Sequence, residues 1–367
     1  MMDERLKRWA ATLLEYSLEL KRGQLFIIVA EPISASLVYE VYREALRRGA
    51  HPYTNIMLPE LAEIFLKNAS DKQLRYTSPM MWAEVKSIDA ILHIRGGENT
   101  KSLSNVNPKA QARMQAARLP LRKIHSRRDV QGKLRWCLTQ YPTHASAQDA
   151  HMSLAEYEDF VFKACFLDKR DPAAAWRKLS KDQERFVRFL NRVDKIRVEA
   201  VDTDLTLGVK GRRWVNSDGH KNFPSGEVFT SPLERSAEGR VRYTYPAVYT
   251  GREVEDVRLE FKKGKVVKYS AARGEDFLGQ MIRMDKGSCY LGEFAIGTNY
   301  GIKKATRNIL FDEKIGGSFH MALGNSYGET GGKNVSSLHW DMICDLKKGG
   351  RITADGKVFH ENGKFLI

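Results

Sequence analysis

Cysteine is scarce in this chain: Cys137, Cys165, Cys289 and Cys344 are all there are in 367 residues. They are scattered and form no CxxC pair. That excludes a disulfide framework and, by spacing, a thiolate metal site, and it fits reduced thiols. Long apolar runs are missing as well. The longest, at 25–30, has the length of a strand, against the ~20 residues a membrane helix needs, so no membrane span is expected. The opening MMDERLKRWAATLLEYS carries acids and a helical pattern but no signal-peptide core, which points to a soluble, cytoplasmic protein. Acid is in deficit, with 45 Asp and Glu against 60 Lys and Arg, a net charge of +15. The basic excess gathers at 113–135, through Arg113, Arg118, Arg122, Lys123, Arg127, Arg128, Lys133 and Arg135, where aromatics are nearly absent. A base-stacking surface interleaves the two, so a solvated face is expected there and a nucleic-acid partner is not. Internal repeats and low-complexity segments are also absent. A chain 42% hydrophobic and 29% charged is neither disordered nor collagen-like, and its length suggests about two domains.

The first half reads as alternating strands and helices. QLFIIVA at 24–30 is apolar and β-branched, and the helical stretch after it puts Leu37, Val38, Val41, Ala45 and Leu46 on one stripe before Gly49. A short strand at 53–58, a helix at 59–67 and a buried strand at 90–95 follow. This order predicts an α/β domain with an open, mostly parallel sheet. A helical region at 153–191, broken by Pro172, closes that half. Short strands and glycine turns then take over, with helical periodicity returning only at 272–283. The expected domains are therefore 1–194, α/β, and 195–367, a β-rich α+β unit.

Unusual polar residues crowd into the second half. In SSLHWDMICDL (336–346), read as a strand, His339 and Asp341 project from one face while Leu338, Trp340 and Met342 pack behind. His320 follows a double glycine in an alternating stretch, with Phe319, Met321 and Leu323 facing the other way, and Tyr327 lies in the glycine-rich loop beyond. Glu293 and Glu227 each sit in apolar company, where a carboxylate must be paired, hydrogen-bonded or metal-bound. Two histidines, three carboxylates and a tyrosine without a thiolate suit a hydrolytic divalent metal such as Zn, Co, Mn or Mg, and suffice for two ions sharing a carboxylate. The pairs Gly316-Gly317 and Gly331-Gly332 fit neither phosphate-loop spacing, which excludes nucleotide binding there.

Four stretches, NFPSGEVFTSP (222–232), GEFAIGTNYGI (292–302), LFDEKIGGSFHMALGNSYGETGGKN (310–334) and SSLHWDMICDL (336–346), together with 141–176 and the opening YSLELKRGQLFIIV, resemble the thermophilic aminopeptidases (the AmpS, PepS and AmpT type), which are dinuclear metallopeptidases. The resemblance implies an N-terminal α/β domain, a C-terminal metal-bearing domain, a homodimer, and hydrolysis of N-terminal residues from peptides with a free N-terminus. Carried over position by position, it implies two divalent ions held by Glu227, Glu293, His320, Tyr327, His339 and Asp341, with Glu293 as the catalytic carboxylate beside the activated water. Gly226 stands where the family usually has an acid. The alternative on the same scaffold is a single-iron, ring-cleaving dioxygenase of the dihydroxypyridine type, using His320, His339 and Asp341. The pair Glu227 and Glu293, superfluous for one iron, favours hydrolysis.

Overall fold

The apolar, β-branched segments Leu25–Ala30 and Ala90–Arg95 lie in the middle of a five-stranded, all-parallel sheet. Its order is His51–Ile56, Leu25–Ala30, Ala90–Arg95, Arg135–Gln140, Asn222–Phe223. Helices connect the strands, so both faces can be covered, and Phe26, Ile27, Ile28, Leu92 and Cys137 are all buried. The structure, a computed structural model, describes residues 3–367. The chain divides by contacts into one unit running up to Ala173 plus Gly219–Phe223, and a second of Ala174–Asp218 plus Pro224–Ile367.

Several local expectations shift. The strand expected at 53–58 spans His51–Ile56, and Leu46, placed on the buried stripe of the helix Ala35–Arg47, is exposed. The basic stretch forms two helices, Pro108–Ala117 and Leu119–Val130, followed by the strand Arg135–Gln140. Part of its charge is used internally. Arg128 donates to the carbonyls of Val85 and Ile88, Arg113 pairs with Asp71 at 2.8 Å and Arg135 with Glu19 at 2.6 Å. Pro172 starts the helix Pro172–Leu190 instead of kinking a longer one. That helix lies before the 194/195 boundary expected from the sequence, whereas its contacts fall with the second unit from Ala174 on. The reason is its apolar face: Leu190 is buried, and Phe186, Val187 and Phe189 pack against the second unit's core.

The second unit is built on two antiparallel sheets. One has eight strands, in the order Lys265–Ser270, Arg258–Lys262, Glu238–Arg242, Thr203–Gly208, Lys195–Ala200, Arg351–Ala354, Lys357–Glu361, Lys364–Phe365. The other has five: His339–Asp345, Ser318–Gly324, Leu291–Gly297, Glu227–Thr230, Val215–Ser217. Their apolar faces share one core. Phe294, Ile296, Phe319, Met321, Leu323, Trp340 and Met342 from the five-stranded sheet join Ile196, Val198, Leu205, Leu207, Val241, Leu259, Ile352 and Phe359 from the other. The opposite face of the five-stranded sheet is thereby left for chemistry. The fold class expected from the sequence, a parallel α/β part followed by a strand-rich part, is the one observed.

His360, on the strand Lys357–Glu361, is fully buried with both ring nitrogens lacking a hydrogen-bond partner and its ring edge-on to Phe365. Burial pushes its pKa down to about 4. Unfolding restores an ordinary imidazole, so the folded state loses about 1.4 kcal/mol per pH unit from about pH 6.5 downward, until the folded group itself titrates. Urea unfolding at pH 7 and pH 5 should therefore show the native chain losing about 2 kcal/mol more than His360→Leu does. An equal loss in both would remove His360 as the cause.

Candidate metal centre

In an antiparallel sheet, residues directly opposite each other share a face, and each strand alternates faces. The registers here pair Glu227 with Gly297, Ala295 with His320, Glu293 with Ala322, Ala322 with Asp341, and Gly324 with His339. One face thus carries Glu227, Glu293, His320, His339 and Asp341, with Ala295, Gly297, Ala322 and Gly324 between them. Small residues in the gaps leave room for the long polar side chains to converge above the sheet. The register shifts beside Gly292. A Cβ there would lie 2.2 Å from the carbonyl oxygen of Asn325, so glycine admits the chain that leads to Tyr327. At Gly226, where φ is +118°, a Cβ would approach that of Asn299 to 2.7 Å, so the acid usual in the family has no space here.

Two donor sets form, and they share one residue. Glu227, Glu293 and His320 make the first, and Glu293, His339 and Asp341 the second. Glu293 turns Oε1 toward His320 Nε2, at 3.6 Å, and Oε2 toward His339 Nε2, at 3.3 Å. His320 Nε2 is 3.5 Å from Glu227 Oε2, and His339 Nε2 is 3.6 Å from Asp341 Oδ2. Ligands about 2.1 Å from a tetrahedral ion stand about 3.4 Å apart, so these separations suit cations placed among the donors. The unused hydrogen-bonding capacity agrees. Glu227 Oε2, His320 Nε2 and Asp341 Oδ1 are buried without a hydrogen bond, a state costing about 1–3 kcal/mol per group unless something else satisfies them. His339 donates Nδ1–H to the carbonyl of Asn325 at 2.8 Å, which leaves Nε2 as the nitrogen that faces the centre.

Tyr327 arrives from the loop after Ser318–Gly324, and its hydroxyl stands 3.2 Å from His339 Nε2. The loop is held by its own bonds. Tyr327 N–H donates to Ser231 Oγ, Ser326 Oγ–H to the carbonyl of Asn334, and Asn334 Nδ2–H to that of Gly324. All six residues expected from the sequence are therefore brought to one place. Two more lie with them that sequence reasoning passed over. Glu313 forms a third donor set with His320 and Asp341. Lys314, fully buried, contacts Glu313 and lies 3.5 Å from Glu227 Oε1. The usable signal was the run Asp312-Glu313-Lys314 between apolar Leu310-Phe311 and Ile315, where charges lack the apolar spacing of a solvated face.

The electrostatics are those of a crowded anionic site. Burial raises Glu293, but the imidazoles of His320 and His339 outweigh it and hold the carboxyl at about 2. Burial disfavours both imidazolium ions, yet Glu293, with Glu227 beside His320 and Asp341 beside His339, lifts His320 to about 9 and His339 to about 10. Asp341 is pushed up to about 6 by burial, His339 opposing and Glu313 adding to the rise. Without metal, both imidazoles are protonated at neutral pH.

The model of one protein family, described as thermophilic metalloprotease (M29), matches residues 2–365. The chain belongs to the M29 metalloprotease family. Among curated relatives, aminopeptidase 2 of Geobacillus stearothermophilus is 27% identical over 97% of this chain and 95% of its own length. Aminopeptidase AmpS of Bacillus subtilis is 31% identical over a segment that is 60% of each chain. Aminopeptidase T of Thermus thermophilus is 27% identical over 88% of this chain and 85% of its own. The solved structure of wild-type AmpT from Thermus thermophilus shares the fold, with a TM-score of 0.84 at 24% identity over 99% of this chain and 100% of that one. Membership makes the metalloprotease a metal-binding hydrolase. Nothing in these comparisons supports the single-iron dioxygenase.

Metal binding to this centre must displace the two imidazole protons. Below about pH 9, metal affinity should tighten about tenfold per pH unit for each proton released. Adding zinc to metal-free protein at pH 7 in weak buffer should release about two protons per chain from the histidines. Zinc uptake with no proton release would contradict this protonation state.

Proposed function

We propose that this metalloprotease is an aminopeptidase that removes N-terminal residues from peptides with a free N-terminus, using two divalent ions. The observation that carries the reading is Glu293, one oxygen facing each imidazole at 3.6 and 3.3 Å, at the junction of two donor sets. Glu227 and His320 would complete one ion's ligands, and His339 and Asp341, with Tyr327 alongside, the other's. Zn, Co, Mn or Mg would each suit this donor set. When bound, such ions polarise the scissile carbonyl and lower the pKa of a water so that it attacks near neutral pH. Glu293 accepts that water's proton at a carboxylate oxygen and returns it to the departing amine. The bond from His339 Nδ1–H to the carbonyl of Asn325 makes Nε2 the nitrogen that would ligate once its proton is displaced, and a carboxylate of the cluster takes the substrate's α-ammonium, which favours cleavage at the chain end.

Two further features of the reading have their own support. A homodimer fits the first unit's edge. The strand His51–Ile56 pairs on one side only, and Ile56, Met57, Leu58, Leu61 and Ile64 near it are exposed, a sheet edge and apolar patch of the kind proteins usually cover. A reducing, cytoplasmic setting fits four cysteines that are all buried and outside any disulfide. No helix among the described residues is long and apolar enough to cross a membrane.

Protein purified without chelators should hold about two divalent ions per chain and hydrolyse Leu-p-nitroanilide in a chelator-sensitive way. Glu293→Gln should keep much of the metal while kcat falls at least about 100-fold. Normal turnover in that variant would end the role given to Glu293, and about one iron without hydrolysis would end the dinuclear reading. In sedimentation, the native chain should run as a dimer and Leu61→Lys/Ile64→Lys as a monomer. A monomeric native chain would dispose of the edge as an interface.

A further inference from the structure

Among the described residues, Lys314 is the one lysine with no solvent exposure. A buried ammonium is costly unless paired, and this one meets two carboxylates, Glu313 in direct contact and Glu227 Oε1 at 3.5 Å. The two oxygens of Glu227 consequently have different surroundings. Oε1 faces the ammonium, whereas Oε2 makes no hydrogen bond and points to His320 Nε2 at 3.5 Å. With one carboxylate in direct contact and a second at 3.5 Å, the ammonium has the paired surroundings that offset the cost of burying its charge.

The three donor sets compete. The third, Glu313 with His320 and Asp341, draws one residue from each of the two sets that share Glu293. An ion bound there would take His320 from the first and Asp341 from the second. Glu313 is the only member that the third set does not borrow, and it is the residue Lys314 contacts. Four carboxylates and one ammonium also leave three negative charges, fewer than two divalent ions bring. The centre with Lys314 thus reaches a small net positive charge, a condition that favours giving up a proton from water.

We propose that the Lys314 ammonium is a fixed cation built into the metal centre, a positioning residue that withdraws Glu313 and Glu227 Oε1 from ligation. It thereby confines Glu227 to one ligating oxygen and reserves His320 and Asp341 for the two sets bridged by Glu293. This inference rests on the metal reading above.

The test is a zinc and cobalt titration against a chelator of known affinity, with the visible absorption of the cobalt-loaded protein as a readout independent of turnover. Lys314→Met removes a positive charge a few ångströms from the ions, so metal affinity should rise by about tenfold or more. The cobalt bands should weaken as Glu227 becomes free to use both oxygens. Lys314→Arg, which keeps the charge, should bind metal like the native chain. A mere structural strut predicts the reverse, and unchanged or weaker affinity in folded Lys314→Met overturns the proposal. Should that variant fail to fold, the native chain decides. Its 15N-lysine spectrum should contain one ammonium protected from water exchange, absent in Lys314→Arg, whose shift moves on adding zinc; the lack of such a signal overturns the proposal as well. If the native chain takes up no metal, the reading of the centre fails too. If it takes up metal and Lys314→Met binds it no more tightly, only the role of Lys314 falls.

Discussion

Four carboxylates, Glu227, Glu293, Glu313 and Asp341, converge on one face of one sheet, each largely withdrawn from water. Left to themselves they would repel one another and take up protons, as Asp341 does in part. Positive charge has to be supplied among them, and the second unit is arranged so that it can be. Imidazoles on two adjacent strands each face one oxygen of Glu293, an ammonium is buried behind Glu227, and carboxylate oxygens are left without hydrogen bonds where an ion would satisfy them. Most of the local sequence choices serve this requirement. Alanine and glycine between the donors clear the space, and Gly292 lets the chain bearing Tyr327 approach. The carbonyl of Asn325 fixes the tautomer of His339.

The other face of the same sheet explains why the donors can be held so closely. Phe294, Ile296, Phe319, Met321, Trp340 and Met342 are all but fully buried against the second sheet. Because side chains alternate along a strand, each donor is flanked by residues locked in the core, and a shift of one position would bury the donors and expose the core. The hydrophobic pattern therefore sets the register, and the register sets the geometry of the centre. This is a rigid way to mount a site, since the strands bearing Glu227, Glu293 and His320 are each bonded on both sides and such a backbone moves less than a loop.

That coupling accounts for what could be read in advance. The alternation in SSLHWDMICDL and GGSFHMALG was enough to separate donor from core positions within each strand, and the apolar runs at 25–30 and 90–95 were enough for a parallel sheet. Which strands lie side by side depends on pairing between residues far apart in the chain. Glu227 and Gly297 are opposite each other for reasons that neither local stretch contains. Asn222–Phe223 returns to the first sheet although its neighbours in sequence belong to the second unit. Glu313 and Lys314 escaped notice because adjacent opposite charges ordinarily mean a solvated turn, and only the close approach of Glu227 turns that pair into part of the centre. The helices at 108–130 were hidden differently. Their charge was legible, but arginines that bond to backbone carbonyls, as Arg128 does, look no different in sequence from arginines in water.

The stability of the second unit follows from the same arrangement. Orphaned donors on one face and a tightly packed core on the other mean that any ligand of the centre acts on the whole double sheet. A ligand that binds only the folded chain stabilises it by about 4 kcal/mol when present at a thousand times its dissociation constant. That is comparable with much of the net stability of an ordinary domain. The metal-free unit carries imidazolium ions and unsatisfied carboxylate oxygens, so its fold is sustained by the apolar face, with Lys314 contributing a permanent fraction of the missing charge. An ion-paired lysine cannot be lost to a chelator as a metal can. It stays beside Glu227 and Glu313 whether or not ions are bound, and its charge opposes the ions that arrive, so the fold gains a constant counter-charge at the expense of some metal affinity.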